Sequence, residues 1–172
     1  MLHKPRTMLP YVLLLSWPSL IIGYDTERNW LYTDWRGPQN QDTVQQGCEQ
    51  MVIFLRAVGS CKILNDNTNV TVPWIEQGSV WVMDYLLPRL QAAGLHYLAW
   101  VYGPTHESWR SVNMTLALAK TDMELEAFPD VASACTWLLT KHCPRVTPTH
   151  GQRLPSRPLR SPWAPNRLKI SF

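Results

Sequence analysis

Asp66, Asn67, Thr68 and Thr71 come nearest to chemistry in this 172-residue sequence. They follow Cys61-Lys62-Ile63-Leu64, which reads as a brief strand, and lead into a helical pattern with Pro73 in its first turn. A polar loop at the carboxyl end of a strand is where α/β sheets usually bind ligands. A threonine at a helix start is also well placed for phosphorylation, because backbone N–H groups and the helix dipole favour the added charge. The plainer reading is turn chemistry, with Thr71 as the helix cap.

Tryptophan is the second unusual feature, with nine in the chain. Trp30, Trp35, Trp74, Trp81, Trp100, Trp109 and Trp137 fall within or beside apolar patterns. Large rings of this kind form small cores or line ligand cavities. Trp74 and Trp109, near predicted helix starts, are the candidate pocket residues.

No other grouping has the spacing that catalysis or metal binding needs. His96 stands alone, and His142 beside Cys143 has no second ligand pair, so no metal site is expected. Asp34 and Asp84 are isolated acids, and no Ser/His/Asp order is evident. No catalytic residue and no cofactor are implied. Cys48, Cys61, Cys135 and Cys143 form no CxxC pair. Cys48, Cys61 and Cys135 sit in apolar patterns, which reads as buried free thiols in a reducing compartment, whereas a disulfide would require export. Asn69-Val70-Thr71 and Asn113-Met114-Thr115 are glycosylation sequons, relevant only in a eukaryotic secretory setting.

The net charge of +3 is unevenly spread. Residues 19–143 hold 8 basic and 13 acidic side chains, net −5. Residues 144–172 hold six basic and no acidic side chains, and Lys4 and Arg6 stand near the start. The central part is therefore mildly acidic, which argues against nucleic-acid binding by a folded domain. Residues 144–172 combine repeated prolines with arginines and lack periodicity, the composition of a disordered basic tail. Residues 1–18 read as a leader or disordered extension. Their apolar run is too short to span a membrane and lacks an A-x-A cleavage site, so a cytoplasmic protein is expected, with export through a short signal peptide as the alternative.

Periodicity places the elements between these ends. Two β-rich runs, 19–24 and 30–35, flank a polar turn at 25–29 and predict a hairpin. Val44, Cys48, Met51, Val52 and Leu55 recur at helical spacing over 42–58, with Thr43 or Asp42 as cap and Gly59 as terminator. A helix follows from Thr71 towards Gly94, kinked or divided at Pro88. The run 97–102 is apolar on both faces and predicts a central strand. Residues 107–120 predict a helix, 123–128 alternate as an edge strand does, and 130–141 predict the last helix. The order is ββαβαβαβα: an α/β domain over 19–143, with one mixed, mostly parallel sheet and helices packed on it.

The opening hairpin, the strand ending in an Asp/Asn loop and the closing pattern Phe128, Asp130, Ser133, Ala134, Trp137, Leu138 resemble the STAS-like fold of SpoIIAA-like anti-sigma-factor antagonists. The segments NWLYTDWRG, KILNDN and PRLQAAGLHYLAWVYGP resemble a group of uncharacterised bacterial STAS-like proteins. The resemblance covers about 19–141. It implies a non-enzymatic bacterial signalling domain that binds another regulatory protein through the segment holding Asp66, Asn67, Thr68 and Thr71. The family's switch serine has no counterpart there; only threonines are present. The alternative is a carrier or sensor of a small apolar or aromatic ligand, held in a cavity between helices and sheet.

Overall fold

The computed structural model describes residues 11–74 and 78–144. The turn expected at 25–29 is built by Asp25, whose carboxylate accepts the backbone N–H groups of Glu27 and Arg28. Asn29 takes a left-handed φ of 55°, which asparagine tolerates. The turn joins β2 (Leu20–Asp25) to β3 (Trp30–Pro38) as the expected antiparallel hairpin. Before it, Val12–Ser16 forms β1, antiparallel to β2. The sheet thus begins within residues that the sequence assigned to a leader. Residues 1–10 and the tail beyond Pro144 lie outside the described residues.

Three crossovers extend the sheet in parallel. Helix α1 (Gln41–Val58) leads to β4 (Lys62–Val72), and β5 (Tyr97–Val101) and β6 (Glu124–Phe128) follow. The strand order β1-β2-β3-β4-β5-β6 is sequential. The protein is therefore α/β, with one mixed, mostly parallel sheet and helices packed on it, as the sequence implies. Right-handed crossovers in a sequential parallel sheet put every connecting helix on one face. That face carries Leu20, Ile22, Leu31, Ile63 and Leu98, packed against Cys48, Met51, Val52 and Leu55 of α1 and Leu86, Leu87 and Leu90 from the second crossover. The opposite face, with Trp30, Leu64, Ala99 and Val101, is left to Ala134 and Leu138 of α5 (Val131–Leu139).

Local chemistry differs from expectation at three places. The cap of α1 is Asn40: its side chain accepts the N–H of Thr43, while Thr43 Oγ1 accepts the N–H of Asn40. Thr43 is thus the third helical residue of the capping box, not its first member. Thr71 and Val72 belong to β4 and not to the second crossover helix, whose described residues form three parts: α2 (Gly78–Trp81), a π-helical stretch (Val82–Leu86) and α3 (Leu87–Ala92). The widened stretch lies one turn before Pro88, where the missing N–H and the ring's crowding of Asp84 disfavour regular α geometry. Thirdly, Cys61 is not a free thiol. It is bonded to Cys143, with Cα atoms 5.6 Å apart, and this ties the start of β4 to the chain after α5. Cys48 and Cys135 remain free thiols.

Close packing of α1 on the sheet depends on Gly47, where a Cβ would collide with the Trp35 ring. Lys62 is buried beneath α5 and donates from Nζ to the Leu138 carbonyl (3.2 Å), closing the helix's carboxyl end. Desolvation lowers its pKa from the ordinary 10.5. Between the depressed value and 10.5 the unfolded chain holds the extra proton, so stability rises with pH across that window. Urea unfolding measured from pH 7 to 10.5 should show this rise, and Lys62→Met should flatten it.

Candidate functional site

The helices do not close fully over the sheet. Between β3–β5 and the helical layer, which includes α4 (His106–Leu118), lies a cavity of about 120 Å³. Its walls are mainly apolar: Trp35, Met51, Val82, Leu86, Leu90, Leu98 and Val112. Trp74 and Pro73 border it where β4 ends, and Ser79, Ser108, Ser111 and Thr115 supply hydroxyls. None of these lining residues is charged. The Cys48 thiol, also in the wall, has its pKa pushed up by burial and is neutral.

A row of register neighbours crosses three parallel strands beneath the cavity, and its members Asn65 and Trp100 line it. Thr33 pairs in register with Asn65, and Asn65 with Trp100. Asn65 is 6% exposed, and its Oδ1 accepts both the Thr33 hydroxyl and the Trp35 indole N–H, each at 2.9 Å. An indole N–H can only donate, so the carboxamide's orientation is forced. Its Nδ2 donates to no described residue. Trp100 Nε1 is buried and has no hydrogen-bond partner among the described residues.

The residues singled out from sequence are divided by this geometry. They are not a loop, because β4 runs on to Val72. Polar side chains persist in it because each finds a partner across the sheet. Asp66 is buried on the α5 face, where it accepts the Tyr32 hydroxyl and the Thr68 N–H, both at 2.9 Å. Asn67 lines the cavity and donates to the Val101 carbonyl (3.2 Å). A bulge follows: two steps along β3, from Asp34 to Arg36, match three along β4, from Asp66 to Asn69. The extra residue turns Asn69 towards Asp34, to which it donates, and Asp34 is also paired with Arg36. It returns Val70 to the core beneath the helices. Thr68 and Thr71 are exposed, and Thr71 is a strand residue that caps nothing.

Of the two pocket candidates, Trp74 lines the cavity and Trp109 does not. Trp109 is 43% exposed, stacks on Tyr102 with centroids 4.5 Å apart, and donates its indole N–H to the Gly103 carbonyl. Asn65 was missed because it sits in a run of turn-forming residues; its place beside Thr33 and Trp100 comes from strand pairing alone. Among the described residues no His, Cys, Asp and Glu side chains cluster as metal ligands, and no helix is long and apolar enough to cross a membrane.

No family model and no curated protein matches this chain. Among solved structures, SiaC of Pseudomonas aeruginosa is similar, with a TM-score of 0.40 and 11% sequence identity. The overlap covers 69% of this chain and 98% of SiaC. A likeness this slight assigns no function.

Proposed function

We propose that this chain is a non-enzymatic α/β module of the STAS-like type that works by binding, and that the cavity is its principal site. The reading is a carrier or sensor of a small, largely apolar ligand. One observation carries it: a mostly apolar cavity of about 120 Å³, with no charged side chain among its described lining residues and with the Asn65 carboxamide, whose Nδ2 has no partner among the described residues, in its wall. Apolar cavities of roughly this size hold a benzene-sized molecule. A ligand that binds only the folded state also stabilises it, which suits a regulatory module. The cystine between Cys61 and Cys143 supports the exported alternative for its location, since such bonds persist in oxidising compartments.

The test is titration of the full chain with methylcyclohexane, read by tryptophan fluorescence and by thermal unfolding. Trp35, Trp74 and Trp100 border the cavity and report on its filling. Saturable quenching and a rise of about 2.7 kcal/mol in stability at a hundred times Kd are expected. Absence of saturation would remove the cavity as a site.

A second reading, binding of another regulatory protein, rests on a different feature. Of β4, only Lys62–Asp66 pairs with β5. Along 67–72 the edge of β4 away from β3 therefore has no strand beside it among the described residues, and Thr68, Asn69, Thr71 and Val72 are exposed. An open edge accepts an added strand. In affinity capture from the native cells, Thr71→Glu should lose a stoichiometric protein that the parent retains, with the fold unchanged by circular dichroism. Equal recovery on both would dismiss this edge.

A further inference from the structure

We propose that residues 167–172 of this same chain, which lie outside the described residues, add to the sheet as a further strand along the free edge of β6. This surface is separate from the cavity, and nothing about it depends on the cavity reading.

Three observations lead to it. The first is the edge itself. Strand β6 ends the sheet and pairs only with β5 among the described residues. The Glu124 N–H donates to the His96 carbonyl, and the Phe128 carbonyl accepts from Tyr102, so both residues turn their backbone groups towards β5. Strand alternation then turns the backbone groups of Leu125 and Ala127 outwards, where an added strand would bond. The second is charge. Glu124 and Glu126, in register with Tyr97 and Ala99, share the α5 side of the sheet, while Leu125 and Ala127 share the side of the other helices. Both glutamates are exposed; Glu124 pairs with Lys141, and Glu126 has no ion-pair partner among the described residues. Arg167-Leu168-Lys169-Ile170-Ser171-Phe172 alternates in the same way, with two cations on one side and apolar residues on the other. A period of two keeps Arg167 and Lys169 on one face whichever way the strand runs. They meet Glu124 and Glu126, while Leu168 and Ile170 continue the apolar row of Leu125 and Ala127. The other free edges lack this match: Val12–Ser16 of β1 and residues 67–72 of β4 contain no acidic side chain. A second β6 would set glutamate against glutamate. The third is reach. Proline cannot donate to a ladder, and Pro165 is the last one, so the stretch after it is clear of that obstacle. The His142 carbonyl accepts from the Tyr97 hydroxyl, and Tyr97 is in register with Glu124, so the chain leaves the domain beside β6. The 22 residues 145–166 span about 70 Å when extended, several times the roughly 17 Å length of β6. A tether of this kind supplies a millimolar effective concentration, at which a strand of about 0.1 mM affinity is about nine-tenths bound.

The experiment follows amide hydrogen exchange by NMR in the full chain and in Lys169→Pro/Ile170→Pro, which removes a ladder donor whichever way the strand runs. The Leu125 and Ala127 amides should exchange about tenfold more slowly in the parent than in this variant, as about nine-tenths occupancy requires. Glu126, whose N–H faces β5, should be protected equally in both. Lys169→Glu should speed exchange at Leu125 and Ala127 about threefold, and Glu126→Lys/Lys169→Glu should return it towards the parent rate. Equal exchange at Leu125 and Ala127 in the parent and in the proline variant overturns the proposal. So does a charge-swapped double variant that exchanges as fast as Lys169→Glu. Slowing that disappears on about tenfold dilution overturns it as well, because the strand would then come from a second copy. The proline variant alters no described residue, and the charge swap tests the same edge should that variant fail to express. The cavity reading is untouched by any of these results.

Discussion

Cys61→Ala/Cys143→Ala protein should unfold with a free energy about 4.5 kcal/mol below that of the parent. The bond spans 82 residues of sequence, so its loss returns a large amount of conformational freedom to the unfolded chain. It closes a ring that contains β4, β5, β6 and the helices between them. Cys61 is also where β4 and β5 meet, its carbonyl accepting the N–H groups of both His96 and Tyr97. For a domain of this size the melting temperature should fall on the order of 10–20 °C. Urea unfolding with and without dithiothreitol is the direct measurement. Reductant should move the parent to the double variant's midpoint and leave the double variant where it was. A parent midpoint indifferent to reductant would mean that the two cysteines are not joined.

Asn65→Leu should cost about 4 kcal/mol by a different route. Its Oδ1 is the acceptor for two buried donors, Thr33 Oγ1 and Trp35 Nε1. Leucine is close in size, so little packing is lost, but both donors are left without a partner in an apolar setting. Each such orphan costs about 1–3 kcal/mol. A double-mutant cycle isolates the effect. In the Asn65→Leu background Trp35→Phe removes an orphan donor, whereas in the parent it breaks a hydrogen bond. Trp35→Phe should therefore be milder in the variant by about 1 kcal/mol or more. Additive effects would show that Asn65 and Trp35 are not coupled.

Both predictions fall on residues whose partners are far away in sequence, and that separation marks how far the sequence could be read. Helix α1 was legible because its buried residues repeat at helical spacing and its left-handed Gly59 ends it. The hairpin at 25–29 was legible because its turn is made by Asp25 within the turn itself. The double-sided apolar run of β5 and the alternating edge strand β6 were legible for the same local reason. Strand β4 was not. Its residues Asn65, Asp66, Asn67 and Asn69 have the types that favour turns. They lie in a strand because Thr33, Trp35, Tyr32, Val101 and Asp34 complete their hydrogen bonds from neighbouring strands. A polar residue in a sheet costs little once it is satisfied, and nothing local in the sequence states that it will be.

The candidate site divides in the same way. Trp74 and Asn67 were named from sequence and line the cavity, whereas Trp109 packs outside it and Asp66 faces the opposite side of the sheet. By itself the sequence determined the α/β class and the order of elements from β2 to α5, because hydrophobic period, turns and caps act over a few residues. Tertiary structure alone decided the length of β4, the bulge that separates Asn67 from Asn69, the cystine between Cys61 and Cys143, and the meeting of Asn65 with Trp100 in the wall of one cavity. Those features depend on which strands lie side by side, and strand pairing joins residues whose distance along the chain carries no local signal.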